Sequence, residues 1–270
     1  MGTSLRPAGF LLASSVAVLL ATCSCAGAEA TQVASLQAAF SPDRLGVATT
    51  ISVGFQISSI PVGNPMPLTN VSLFLPSEMG LATSGLGLEN CMLSRLEELG
   101  TEGCPSDSLM GRGTATAEIP IGGEPVVESA QIEVFSARVQ EGRLALMVYA
   151  NALSPVYAQL VFPATVIPAP LPYGEGIDTN VPLVPTVPGA PDVAVTRFQM
   201  TLGTTVAGPD RFVYYRSVHG RRVAYSPRGL ILPPVCPYGG FPFKAQFTFQ
   251  DDTVATAHTS VPCPRRPRRV

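Results

Sequence analysis

From Phe241 to Phe249 every second residue is apolar, with Pro242, Lys244, Gln246 and Thr248 between them. A period of two belongs to an extended strand with one buried face. Asp251-Asp252 interrupts the run, and Val254, Ala255, Thr256, Ala257, Thr259 and Val261 follow as small and β-branched residues suited to a pleated surface. The pattern predicts a hairpin turning at the two aspartates. It sets Cys263 opposite a position near Gly240, with Cys236 close by across a Pro-Tyr-Gly-Gly turn.

Runs of the same kind recur at Ser35–Phe40, Thr49–Ser58, Asn70–Leu75, Gly113–Pro120, Pro125–Ala137, Arg143–Tyr149, Val156–Phe162, Asp192–Thr201, Phe212–Ser217 and Arg222–Tyr225. Turn signals separate them, among them Ser41-Pro42-Asp43, Gln140-Glu141-Gly142 and His219-Gly220. Many short strands at this spacing predict an all-β chain, an antiparallel β-sandwich, and not alternating strands and helices. One short helix is predicted near residues 92–99, where Leu93, Leu96 and Leu99 share a face and Gly100 ends the run. Residues 163–191 hold eight prolines. Proline donates nothing to a central ladder, so this segment is predicted as an edge or a surface crossover, within one body or between two subdomains.

The amino-terminal segment changes the setting. MGTSLRP carries one arginine, AGFLLASSVAVLLA is an uncharged apolar run of 14 residues, and small-x-small sites follow at Ala26-Gly27-Ala28 and Ala28-Glu29-Ala30. That order reads as a secretory signal peptide over residues 1–30, too short for a membrane-spanning helix. Leu20-Ala21-Thr22-Cys23 offers a second reading, a lipoprotein box with Cys23 as a lipid-bearing terminus; it would leave Cys25 as an odd thiol. The mature chain is then expected to be secreted or held at the cell envelope, where disulfides persist.

Four cysteines remain after cleavage, and Cys91, Cys104, Cys236 and Cys263 allow three pairings. Nearness along the chain favours Cys91–Cys104, around the predicted helix, and Cys236–Cys263, at the open end of the hairpin. Zinc is the competing use of cysteine pairs, but neither pair has C-x-x-C spacing or a histidine in ligand register, so no metal is expected. Residues 31–264 carry 12 basic and 18 acidic side chains, a balance of −6, and the last six residues then add Arg265, Arg266, Arg268 and Arg269. The tail, residues 265–270, is expected to be solvated and disordered, with contact to anionic envelope polymer or lipid as its sharper use. An acidic body on an exported chain argues against nucleic acid as a partner.

The stretches FSPDRLGVATTISVGFQI, SGLGLENC, CPSDSLMGRGTA, PPVCPYGGFPF and PCPRRP resemble exported actinobacterial proteins of uncharacterised function. In such proteins a Cys-Pro followed by Ser-x-x-Gly recurs, here Cys104-Pro105 and Ser108-Leu109-Met110-Gly111. The resemblance implies an envelope or secreted β-rich protein and carries over no functional residue.

Catalytic signatures are sparse. His219 falls in a hairpin turn and His258 at a polar strand position, so neither has the setting of a general base, and no nucleophile elbow, zinc-protease helix or phosphate-binding glycine loop is present. No cofactor is expected. A glycosidase needs only two carboxyls, and Glu124, Glu128 and Glu133 on one strand, Glu97 and Glu98 on the helix and Asp251 and Asp252 in the turn are the candidates for that role. Each group reads more simply as solvated surface or turn chemistry. Tyr214, Tyr215 and Tyr238 could offer a flat face to a sugar, but the chain has no tryptophan. Asp43 or Asp251-Asp252 could donate to calcium, yet no calcium-loop motif exists. The expected function is a non-enzymatic, envelope-associated or secreted protein that binds or builds, with ligand and partner open between envelope polymer and protein; the alternative is a secreted hydrolase using a carboxylate pair.

Overall fold

In the computed structural model the run from Phe241 to Phe249 is a strand in which each odd position is buried and each even one half-exposed. The structure describes residue 2 and residues 30–81, 89–121, 124–140, 142–154, 157–186, 191–203, 214–225 and 229–264. The expected signal segment, with Cys23 and Cys25, and the arginine tail at Arg265, Arg266, Arg268 and Arg269 lie outside the described residues.

In chain order the strands are β1 Thr31–Ser41, β2 Ala48–Ile60, β3 Leu68–Pro76, β4 Gly80–Leu81, β5 Leu109–Ile121, β6 Glu124–Gln140, β7 Arg143–Ala152 and β8 Ala158–Pro168. They continue as β9 Tyr173–Asn180, β10 Ala194–Leu202, β11 Tyr214–Val218, β12 Arg221–Tyr225, β13 Leu230–Ile231, β14 Phe241–Phe249 and β15 Val254–Val261. Helix α1, Leu93–Leu99, is the predicted short helix. Hydrogen-bonded neighbours run β15-β14-β3-β9-β8-β7-β6-β5-β10-β2, and β1 pairs along nearly all of β2. Cα atoms of β1 come within 8 Å of those of β15. The two ends of an eleven-strand antiparallel sheet thus meet, and the all-β body is one sheet nearly closed on itself. Closure shields the unpaired edges that an open sheet of this width would present to other chains.

The main cluster of buried residues runs from Leu36 on β1 to Val261 on β15. Phe40 meets Phe241 edge-on with ring centroids 5.3 Å apart, and Phe55 stacks on Phe198 at 5.2 Å and meets Phe247 at 4.8 Å. Buried Gln32 is satisfied by accepting the Met66 N–H at Oε1. A second, smaller cluster lies on the outer face of β6 and β7, where Leu96 of α1 packs with Cys91, Leu109, Phe135, Met147 and Tyr149. Gly100, at φ +63°, ends α1 in a conformation costly to residues with a Cβ, and an added Cβ would press on Tyr149 Oη at 3.3 Å.

The expected hairpin forms, with Phe241 opposite Val261 and Thr248 opposite Val254. At its open end Cys236 and Cys263 are bridged, Cα atoms 5.8 Å apart, and Cys91 and Cys104 are bridged at 5.0 Å around α1. Gly240, at φ +89°, makes the fold-back: its N–H donates to Pro237 O, and a Cβ there would collide with the Val261 carbonyl.

The proline-rich segment departs from expectation. Residues 163–168 belong to β8, and β9, which was not predicted, follows at once; both lie inside the sheet, with β9 pairing β8 on one side and β3 on the other. Pro163 sits opposite Met147 in mid-strand, and its carbonyl accepts the Thr179 hydroxyl at 2.8 Å. Pro168, Pro170 and Pro172 fall at the strand end and turn, where no ladder donor is needed. Val181 to Thr186, past β9, carries no regular structure and is the crossover part of the segment.

Candidate functional site

Alternation along a strand sends every second side chain into the curled sheet, so inward size decides what space is left. On β14 the inward residues are Phe241, Phe243, Phe247 and Phe249, each fully buried, with Ala245 among them. On the wall built by β5 to β8 many are small: Ala115, Ala117, Ala130, Ala150, Ala152 and Ala164 face the interior among larger residues such as Ile132, Leu146 and Phe162. A cavity of about 210 Å³ opens against this wall. Val53, Leu73, Val148, Leu160, Phe198 and Met200 complete much of its apolar lining, and Val181, Pro182, Val184 and Val193 frame one end. Pro182 is exposed, so the cavity reaches the surface there.

Two polar side chains line it, Glu128 and Thr179. The Thr179 hydroxyl is spent on the Pro163 carbonyl. Glu128 sits opposite Ala117 on the neighbouring strand and is 5% exposed. A second cavity of about 220 Å³ lies toward the other end of the curled sheet, lined by Ile51, Leu75, Leu144, Val166 and Leu202 and edged by Asn90 and Ser136, which share a 3.0 Å hydrogen bond.

The other carboxylates weighed from the sequence scatter. Glu133 points to the outer face of β6 and pairs with Arg112 at 3.0 Å, and Glu124, Glu97 and Glu98 are exposed. Asp251 accepts the Thr253 hydroxyl and N–H within the turn, and Asp252 and Asp43 are exposed. Of the described carboxylates Glu128 alone lines either cavity, so no pair faces across one. Among the described residues no three histidine, cysteine or acidic side chains gather in ligand geometry.

His219 takes φ +50° in the β11–β12 turn, as the turn signal indicated, and His258 is exposed with Nδ1 3.4 Å from Tyr173 Oη. Burial raises the pKa of the Tyr173 hydroxyl. Tyr149, under α1, is raised by burial first and then by its neighbours Tyr157 and Glu133. The Tyr215 ring carries the Arg222 guanidinium 4.2 Å from its centroid, and the Tyr215 N–H donates to Asp107; Tyr214 pairs with Tyr225 across the hairpin, while Tyr238 stands fully exposed in the fold-back turn. Neither Tyr215 nor Tyr238 lines either cavity. The interior space is what the sequence reading missed. Its signal was a row of alanines at inward positions on consecutive strands, legible only once the strands' facing wall is known.

No protein-family model, curated protein or solved structure matches the chain. The fold and site define a disulfide-stapled, all-β protein with an apolar interior space. Two disulfides, and among the described residues no helix long and apolar enough to cross a membrane, are compatible with a protein outside the cytoplasm.

Proposed function

We propose that this chain is an exported, non-enzymatic binding protein that holds a small uncharged lipophile inside its curled sheet. The observation that carries the reading is the 210 Å³ apolar cavity. Because the space opens to the surface at Pro182, its apolar lining stays in contact with water when empty, at a cost of roughly 25 cal/mol for each Å² left uncovered. A ligand that fills it removes the cost, and an apolar cavity of about 150 Å³ already suffices for benzene. Export is supported by the amino-terminal sequence pattern and by the two bridges, and the likeness to exported actinobacterial proteins rests on the sequence stretches alone. The hydrolase alternative asks for two carboxyls about 5–10 Å apart across a cleft, and among the described residues the lining holds a single carboxyl.

The test is uptake of 1-octanol by the protein purified without detergent. A saturable rise in melting temperature with one site per chain is expected. No rise with octanol, together with no lipophile in a chloroform extract of the protein, overturns the reading.

A further inference from the structure

The two cavities follow each other along every strand that lines both. On β7 the first takes Val148 and the second Leu144; on β8 the first takes Ala164 and the second Val166; on β2 the order is Val53 and then Ile51. They are therefore successive stretches of one lumen and not separate holes. Among the described residues two belong to both linings, Leu146 and Ile177. Leu146 pairs with Ala164 and Ile177 with Val166, so the two stand on either side of β8 at neighbouring inward steps. The geometry points to Leu146 and Ile177 as a partition that sets how long a chain the lumen accepts: an unbranched, uncharged single-chain lipid fills the first space and stops there. This rests on the reading of the cavity as a ligand site. Each space is below the roughly 300–1,000 Å³ of ordinary ligand pockets, whereas the two joined fall within that range. The partition thus separates a lumen for a short chain from one for a long chain.

A series of 1-alkanols from hexanol to hexadecanol, each competed against N-phenyl-1-naphthylamine, tests it. In the unaltered protein affinity should rise about fourfold per added methylene and then level off once the first space is full. Leu146→Ala should carry the rise through several further methylenes, so that the longest alkanols gain tenfold or more over the unaltered protein. Ile177→Val, which perturbs folding less, should shift the levelling point in the same direction by a smaller step. Ile51→Val, which enlarges the second space from β2, a strand paired with neither β7 nor β9, should leave the levelling point in place. If no alkanol displaces the probe from the unaltered protein, the cavity is no ligand site and the function proposed above fails. If alkanols bind with a clear levelling point that neither Leu146→Ala nor Ile177→Val moves, or that Ile51→Val moves equally, the partition is refuted while the binding function stands.

Discussion

The β14 wall and the β5–β8 wall are built on the same period of two, yet one is filled by phenylalanines at all inward positions but Ala245 and the other, where alanines recur, lines a space. On β14 Phe241 and Phe243 reach across to Phe40 and Phe247 to Phe55, and neither these nor Phe249 line either cavity. Across the interior, alanines recur at inward steps of β5, β6, β7 and β8. Strand spacing is set by backbone hydrogen bonds and does not shrink when side chains do, so small residues on a curved sheet leave volume behind. The contrast teaches that stability and binding are divided between two sides of one sheet, bulk holding it closed and lack of bulk making room.

The sharpest way to break this comparison is Phe247→Ala, which removes a fully buried ring from the packed side. It should cost about 3–5 kcal/mol in urea unfolding; a loss below about 1 kcal/mol would mean that the phenylalanine side is not the stabilising one. Next comes the staple at the hairpin carrying those rings. Cys236→Ser with Cys263→Ser should cost about 2–4 kcal/mol. The bridge spans 27 residues against 13 for Cys91–Cys104, so its removal should cost about 0.6 kcal/mol more than removal of the helix bridge. Paired denaturation curves read that difference.

On the open side the expected outcome is reversed. Ala150→Leu adds bulk where a filled core would lose about 1–3 kcal/mol to overpacking. Here the space accepts it: unfolding free energy should change by less than about 1 kcal/mol, whereas octanol uptake is lost. A large destabilisation with uptake intact would erase the distinction between the walls. The mildest test concerns β9, which closes the space beside β8. Burial raises the Glu175 carboxyl above its ordinary pKa, so the folded state holds that proton more tightly than the unfolded chain does. Stability contributed there therefore falls as pH rises through the carboxylate range. Glu175→Gln should be neutral at acidic pH and slightly stabilising at pH 7, within the 0.5 kcal/mol or so usual for partly exposed sites.

Most of the fold was legible because alternation is a local property. The β14–β15 hairpin, the β11–β12 turn at His219-Gly220 and the helix ended by Gly100 each follow from residues within a few positions of one another. β9 was not legible. Its sequence, YGEGIDTN, has two glycines and two acids and little preference for a strand, and it is held extended by ladders to β8 and β3 on either side. Pro163 concealed the second half of β8, predicted only as far as Phe162, for a related reason, since its lost donor is tolerated by a strand whose other pairings persist. The candidate site was hardly legible at all. Glu128 was noted as one of three acids on a strand, but its inward direction and its apolar company depend on which face of β6 the sheet turns inside.

By itself, then, the chain's order of residues determined that it makes strands, where they turn, and which cysteines lie near enough to bridge, because these depend on contacts between neighbours along the backbone. Only the tertiary structure decided that the sheet curls until β1 meets β15, that alanines from four strands share one wall, and that Leu146 and Ile177 stand between two spaces. Those outcomes depend on the sizes of side chains more than a hundred positions apart, such as Phe55 and Phe247, which become neighbours when the sheet closes.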